Sequence, residues 1–257
     1  MLKIFDSHTH LNSTEFIGEE ASIISKAHEQ GVLKMNIVGC DLKTNKWALD
    51  LAAQYEGCYA TIGWHPDECA AFDTEAEEFL LSHLADQEVL ALGEIGLDYH
   101  WMVSPKELQE EIFRRQIRIA KRMNKPFMVH TRDALEDTYT VIREEGVGEA
   151  GAIMHSFSGS FEEATRFADL GMMISFSGVV TFKKAKDVQE AAAKLPLGKI
   201  LVETDAPYLS PVPFRGKRNM PAYTRYTVEK IAELRGITTE EAAEATYQNA
   251  LRVFKLE

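Results

Sequence analysis

Short apolar runs alternate with amphipathic segments along almost the whole chain. Each apolar run has the length of a buried strand and is bounded by turn residues, and each following segment repeats its apolar positions with helical periodicity. The predicted strands cover residues 2–6, 34–40, 58–64, 88–94, 126–130, 152–155, 172–177 and 200–205. The predicted helices cover residues 18–30, 45–54, 75–86, 106–124, 134–145, 160–170, 183–194, 223–235 and 239–254.

This alternation predicts an α/β protein built from βα units. Strands that are apolar throughout are typical of parallel sheets with helices on both faces, and eight successive units favour a closed (β/α)8 TIM barrel. An open, doubly wound sheet with extra helices is the alternative. The chain has 257 residues, a usual length for one barrel, and no segment resembles a linker. We therefore expect residues 1–257 to form a single domain.

Composition narrows the class of protein. Hydrophobic residues make up 45% of the chain and charged residues 26%, and the net charge of −12 argues against broad attraction to a phosphate backbone. Three cysteines without a C-x-x-C pair indicate neither a disulfide framework nor a thiolate zinc site. No apolar run has the length of a membrane span, and the early first strand leaves no room for a signal peptide. We expect a cytoplasmic protein with no membrane contact and no obligate protein partner.

Metal-capable side chains recur at the ends of the predicted strands. In a barrel, the carboxyl ends of the strands meet at one face, which carries the chemistry. The residues at or just after these strand ends are His8, His10, Glu94, His130, His155 and Asp205. Imidazoles and carboxylates without a thiolate fit Zn²⁺ or Mn²⁺ better than a purely oxygen-bound Mg²⁺, although Mg²⁺ stays a possibility for the ion.

The expected arrangement is a pair of divalent ions that share Glu94. His8, His10 and Asp205 would complete one site, and His130 and His155 would complete the other. Asp205 is also the candidate general base, so Asp205 and Glu94 are the predicted catalytic residues. Each residue has a structural interpretation as well: an H-x-H pair can lie in a turn, a lone Glu can pair with Lys or Arg, and a lone His can simply be hydrogen-bonded.

Four further residues are candidates for substrate binding. His65 ends the third strand, where it could hydrogen-bond a phosphate or serve only the local structure. Arg215, Lys217 and Arg218 lie in a proline-rich loop after the last strand, where barrels often bind phosphate; a solvated charge run is the alternative.

Other polar and aromatic residues near the strand ends carry less weight. We interpret Cys40, at the end of the second strand, as a small buried residue. Aromatic side chains near the barrel mouth could stack on a base, although such residues more often serve packing. The aromatic candidates are Tyr99, Trp101, Phe157 and Tyr208.

Six sequence blocks together resemble one enzyme family. DSHTHL, GWHP, GEIGLDYH, HTRDA, HSFSG and ETDAPYL stand in the order seen in TatD-type metal-dependent deoxyribonucleases, a branch of the amidohydrolase-like barrels. The resemblance implies a (β/α)8 barrel, a divalent-metal centre with the same six ligands, and hydrolysis of DNA phosphodiester bonds from a 3′ end. Met220 departs from the family, which more often carries Glu at that position, and this puts in doubt any contact made by that carboxylate.

The expected function is therefore a divalent-metal-dependent hydrolase of DNA phosphodiester bonds. The resemblance implies a 3′-5′ exonuclease on single-stranded DNA, in which two ions activate the attacking water. One alternative is a metal-dependent amide or ester hydrolase, such as an aminoacyl-tRNA deacylase. The other is a metal-binding scaffold without turnover, against which the full set of ligands and the loop cations argue.

Overall fold

Eight parallel strands, each followed by a helix or a helical turn, pair in sequence order from the first to the last. The computed structural model describes residues 2–256. The strands are β1 (Ile4–Thr9), β2 (Val32–Val38), β3 (Cys58–Ile62), β4 (Val89–Asp98), β5 (Phe127–Arg132), β6 (Ala152–Met154), β7 (Met173–Phe176) and β8 (Ile200–Val202). The α-helices are α1 (Glu20–Glu29), α2 (Leu42–Gln54), α3 (Thr74–His83), α4 (Lys106–Arg122), α5 (Leu135–Glu145), α6 (Phe161–Asp169), α7 (Lys186–Lys194), α8 (Thr224–Arg235) and α9 (Thr239–Phe254).

The sheet closes on itself where the chain leaves β8 and runs beside β1. There the backbone N–H of Asp205 donates to the carbonyl of His8 at 2.9 Å, and the N–H of His10 donates to the carbonyl of Ala206 at 2.7 Å. These bonds continue the parallel pairing across the last gap in the sheet. The predicted (β/α)8 barrel is confirmed, and the open-sheet alternative is wrong.

The buried carboxyl of Asp6 reinforces the same seam. It accepts hydrogen bonds from the backbone N–H of Thr204 at 2.9 Å and from the Thr204 hydroxyl at 2.5 Å. Burial raises the pKa of the Asp6 carboxyl to about 8, and the bonds from Thr204 offset only part of that shift. Asp6 in the DSHTHL block therefore joins the first and last strands.

Apolar side chains fill the barrel toward the amino ends of the strands. One cluster combines inward-facing residues of most strands with Tyr247, Ala250 and Phe254 of α9. The rings of Phe5 and Phe254 lie 5.4 Å apart between centroids. Burial of these large side chains stabilises the lower barrel by about 1.5–3 kcal/mol for each side chain. The carboxyl ends of the strands are left to polar residues.

Six strand ends differ from the sequence prediction by two residues or more. β1, β4 and β5 continue past the predicted ends at residues 6, 94 and 130, whereas β2, β3 and β8 stop before the predicted ends at residues 40, 64 and 205. The prediction ended strands at the first polar residues, but polar side chains can face the barrel mouth while their backbone stays paired.

Among residues 2–256, no helix has both the length and the apolar composition required to cross a bilayer.

Candidate metal centre

The barrel brings the six predicted metal ligands together at the carboxyl ends of its strands. They fall into overlapping sets of three, in which every donor atom lies within 4.8 Å of the other two. The sets are His8, His10 and Glu94; Glu94, His130 and His155; and His8, His155 and Asp205. Glu94 belongs to two sets, as a shared ligand would. Since His155 also joins His8 and Asp205, the division of the ligands between two ions stays a prediction.

Glu94 lies between the four histidines. Its Oε1 is 2.9 Å from Nδ1 of His130 and 3.0 Å from Nε2 of His155. Its Oε2 is 3.6 Å from Nε2 of His8 and 3.7 Å from Nε2 of His10. One carboxylate therefore presents a different oxygen to each pair of imidazoles.

A glycine in the same block explains how β4 can pass so close to β5. Gly96 has a φ of +146°, and a Cβ at this position would lie 1.9 Å from the carbonyl oxygen of His130. No side chain fits there without moving one of the two strands. The GEIGLDYH block thus combines the acid that faces the site with the glycine that lets the strands approach.

Asp205 reaches the site from the turn that follows β8. Its Oδ1 lies 3.4 Å from Nε2 of His10 and 3.7 Å from Nε2 of His8. Its φ of +58° is in the left-handed region, which Asp adopts more readily than most residues. This turn moves the carboxylate beyond the end of the strand and over the β1 histidines.

Two histidines have a carboxylate behind them. Nε2 of His130 donates to Asp98 at 3.0 Å, and Nδ1 of His155 donates to Glu203 at 2.9 Å. Burial alone would raise the pKa of the Asp98 carboxyl, but bonds from His130 and the Trp101 backbone lower it to about 2. Burial raises the pKa of Glu203, and His155 offsets part of the shift. Both acids stand in the motif blocks, but neither is among the predicted site residues.

The other two histidines have neutral partners. Nδ1 of His10 donates to the backbone carbonyl of Val38 at 2.9 Å. Nδ1 of His8 lies 2.9 Å from the sulfur of Met128. In each histidine of the site one ring nitrogen is therefore occupied and the other faces Glu94, which is the usual arrangement of metal-ligating imidazoles.

The charges of the site fit a bound cation. Burial raises the pKa of the Glu94 carboxyl, but the charge of His155 and the hydrogen bonds from His130 and His155 outweigh this effect and hold the pKa well below its ordinary value. Burial and the neighbouring His155 lower the pKa of His8 well below its ordinary value, so that its imidazole is neutral, as a ligand must be. In the described part of the chain, all ion-pair contacts of Glu94 are to histidines. Burial lowers the pKa of His10, His130 and His155, but the neighbouring acidic groups outweigh this effect and raise each pKa above its ordinary value. Bound divalent ions would replace the protons on these imidazoles and balance the same acids.

His65 lies beside His130, one of the six ligands, but outside the three sets described above. Its ring is 4.5 Å from that of His130, and with His130 and Asp98 it forms a further set of three donors. Burial and the neighbouring His130 lower the pKa of His65 to about 3, so its imidazole is neutral. Its Nδ1 accepts the backbone N–H of Asp67 at 3.1 Å, which leaves the proton on Nε2.

The three predicted loop cations differ in their surroundings. Arg215 lies over the ring of Phe182 at 4.1 Å, and Lys217 lies 5.9 Å from a neighbouring ring. Arg218 instead forms an ion pair with Glu19 at 2.8 Å and also donates to a backbone carbonyl. Its guanidinium is thus already engaged by the protein. The roles of all three residues in substrate binding stay predictions.

The structure also gives the surroundings of Cys40 and Met220, which lie outside the predicted site. Sγ of Cys40 lies 3.9 Å from Oε2 of Glu94, and the side chain is half-buried, so Cys40 borders the centre instead of filling the core. Burial raises the pKa of this thiol and keeps it protonated. Met220 packs, partly buried, against the main hydrophobic core.

A (β/α)8 barrel that gathers four imidazoles and two carboxylates at its carboxyl end has the architecture of a metal-dependent hydrolase. The sequence model described as TatD related DNase matches residues 5–255. The chain belongs to the TatD family of metal-dependent hydrolases.

Individual relatives extend over nearly the whole chain. It is 43% identical to the uncharacterized metal-dependent hydrolase YabD of Bacillus subtilis, over 98% of this chain and 99% of that protein. It is 33% identical to the 3′-5′ ssDNA/RNA exonuclease TatD of Shigella flexneri, over 98% of each chain. The crystal structure of YJJV, a TatD homologue from Escherichia coli, has a TM-score of 0.94 at 30% identity, and the match covers 99% of this chain and 98% of that one.

Proposed function

We propose that this protein, as one domain, is a two-metal phosphodiesterase that removes nucleotides from the 3′ end of single-stranded DNA. The observation that carries the proposal is the position of Glu94, which belongs to two sets of nitrogen donors at once. Paired ions that share a carboxylate are the usual arrangement for hydrolysis of phosphate esters. A relative named as a 3′-5′ ssDNA/RNA exonuclease supports a nucleic-acid substrate.

The protein's own groups have defined roles in this reaction. When bound, divalent ions would lower the pKa of water and offset the charge that develops on the phosphate. Asp205 accepts the proton of the attacking water, because its carboxylate lies beside His8 and His10. His65 donates its Nε2–H to a phosphate oxygen. The new bond joins the water oxygen to phosphorus, the bond between phosphorus and the ester oxygen breaks, and the leaving oxygen takes a proton from the solvent.

The loop cations favour the approach of a strand end. Arg215 and Lys217 are exposed and form no ion pair within residues 2–256, so their charges are free to meet phosphates. Arg218 would first have to leave Glu19. An acidic protein with a few such cations at one face is suited to a strand end more than to a long duplex groove.

Labelled oligonucleotides test the proposal. Metal-loaded protein is incubated with single-stranded DNA labelled at the 3′ or the 5′ end, and in parallel with a mischarged tRNA. We expect rapid release of the 3′ label, stepwise shortening of the 5′-labelled strand, and loss of both in Asp205→Asn. Asp133→Asn, which changes an exposed carboxylate, is the matched control and should retain activity within twofold.

Other outcomes would replace the proposal. Deacylation of the tRNA without shortening of DNA would assign the protein to the amide and ester hydrolases. No turnover of any substrate, with ions still bound, would favour a metal-binding scaffold. Metal analysis of the purified protein should give two ions per chain, and a single ion would contradict the shared role of Glu94.

A further inference from the structure

The exposed large hydrophobic side chains gather at one face of the barrel. Among residues 2–256, they all lie in the loops, or in the first helical residue, that follow β1, β2, β4 and β8: Ile17, Leu42, Trp101, Met102, Val103, Tyr208, Leu209 and Val212. These elements follow the carboxyl ends of the strands, where the candidate metal centre lies. Single exposed apolar residues are normal, but an accumulation around a site indicates a binding surface.

Trp101 is tied to the centre through its backbone. Its side chain is 62% exposed, yet its N–H donates to Oδ1 of Asp98 at 3.0 Å, and the N–H of His100 does the same at 2.9 Å. The other oxygen of Asp98 accepts the bond from His130. One carboxylate therefore holds both a predicted metal ligand and the base of the exposed indole.

Arg132 places a cation beside this indole. Its guanidinium carbon lies 5.5 Å from the centre of the Trp101 ring. Arg132 ends β5 two residues after His130, so both side chains leave the strand on the same side. Within the described range 2–256, Arg132 forms no ion pair with a carboxylate, in contrast to Arg218.

Tyr208 borders the centre from the loop after β8. Its side chain is 56% exposed, and its ring centroid lies 6.2 Å from that of His10. Its backbone N–H donates to the carbonyl of Asp205 at 2.9 Å, and its carbonyl accepts the side-chain amide of Asn219 at 2.6 Å. A second flat ring is thus fixed next to the predicted ligands while its surface stays open.

We propose that Trp101 and Tyr208 stack unpaired nucleobases on the two sides of the centre, while Arg132 binds a phosphate beside Trp101. The inference rests on the proposed function and specifies its substrate as a strand whose terminal bases are free. Aromatic rings stack on any base, and the forked guanidinium matches a phosphate. A net charge of −12 disfavours an anionic lipid surface as the occupant.

The test measures binding in the Asp205→Asn background, in which the substrate should stay intact. The probe is a 5′-fluorescein single-stranded DNA dodecamer, read by fluorescence anisotropy. We expect Trp101→Ala and Tyr208→Ala each to raise Kd about tenfold, equivalent to about 1.4 kcal/mol, and Trp101→Phe to restore most of the affinity. Gln87→Ala changes an exposed, uncharged side chain just before β4, at the opposite end of the barrel, and should stay within twofold.

A missing base separates stacking from general loss of contact. The background protein should bind a dodecamer that lacks its two 3′-terminal bases several-fold more weakly than the intact dodecamer. The Trp101→Ala, Tyr208→Ala double variant should bind the two dodecamers equally well. Arg132→Ala should weaken both probes equally, because its phosphate contact does not depend on a base. Equal effects of base removal in all proteins would overturn the inference.

The inference and the proposed function fail in different ways. If both alanine variants have unchanged Kd values and the unmodified protein cleaves DNA efficiently, the stacking inference is wrong and the nuclease function stands. If binding depends on the two rings but no cleavage occurs, the nuclease function is wrong and the stacking inference stands. The inference would also be overturned if the alanine variants kept their affinity for DNA but lost binding to vesicles of anionic lipid, or lost self-association. The exposed rings would then bind a membrane or a second copy of the chain.

Discussion

The two sides of the candidate metal centre are held in different ways. On the β1 side, His8 and His10 rest on neutral groups, the sulfur of Met128 and a backbone carbonyl. On the β5 and β6 side, His130 and His155 each donate to a buried carboxylate. The same kind of ligand therefore has two electrostatic environments within one site.

The difference bears on how strongly each side holds an ion. A carboxylate that accepts a hydrogen bond from an imidazole makes this ligand more basic and fixes its orientation. A neutral acceptor mainly fixes the orientation. The side with Asp98 and Glu203 should consequently bind its cation more tightly. The side with His10 and Asp205 is also the one that carries the candidate proton acceptor, where easier exchange of water and ligand is compatible with turnover.

The largest effect should come from the residue that both sides share. Glu94→Gln keeps the shape of the side chain but removes the charge, so both sides lose their common anion. We expect a loss of DNA cleavage of at least about 1000-fold, equivalent to about 4 kcal/mol, and fewer than two ions per chain by metal analysis. Glu68→Gln, an exposed acid after β3, is the control. Full metal content in Glu94→Gln would show that the two sides are independent.

Gly96→Ala should damage the carboxylate-backed side through its backbone. The added Cβ would lie 1.9 Å from the carbonyl oxygen of His130, so β4 and β5 must separate. We expect the free energy of unfolding in urea to fall by about 3 kcal/mol. Gly198→Ala has no atom within 4 Å of its added Cβ and should change stability by less than about 0.5 kcal/mol. Equal stability of the two variants would mean that the strands can yield at little cost.

The contrast between charged and neutral partners can be tested directly. Asp98→Asn and Glu203→Gln each keep a hydrogen-bond acceptor behind the imidazole but remove its charge, and we expect metal affinity to fall about 10- to 100-fold. Met128→Leu changes the neutral partner of His8 at nearly constant volume and should cost much less. The measurement is a competitive metal titration with a chromogenic chelator. Similar losses in all three variants would show that packing alone orients the ligands.

Much of this architecture is readable from the sequence because it follows from local patterns. The eight βα units were predicted from apolar runs and helical periodicity, and the predicted barrel is confirmed. The site residues were proposed from their positions at strand ends, and the structure brings them together at the barrel mouth. Closure of the barrel makes this possible, since it places Asp205 beside His8 although the two are far apart in sequence.

What the sequence did not reveal depends on pairings between distant strands. The partners of the histidines, Asp98 and Glu203, look like any acids near a strand end until the fold aims them at His130 and His155. The predicted ends of β1, β4 and β5 were wrong because polar side chains at the barrel mouth do not end the backbone pairing. The pairing of Arg218 with Glu19 was equally invisible, since it joins the loops after β8 and β1.

The smallest effect concerns the cations in the loop after β8, which follows the strand beside β1. Arg215 lies over an aromatic ring without a carboxylate partner in the described chain, whereas Arg218 is held by Glu19. Each phosphate contact to a single strand contributes about 0.7 to the slope of log affinity against log salt concentration. Arg215→Ala should therefore reduce this slope by about 0.7 in anisotropy titrations of single-stranded DNA, and Arg218→Ala should leave it nearly unchanged. If Arg218→Ala lowers the slope as much, the ion pair with Glu19 opens when DNA binds, and Glu19→Gln should then strengthen binding.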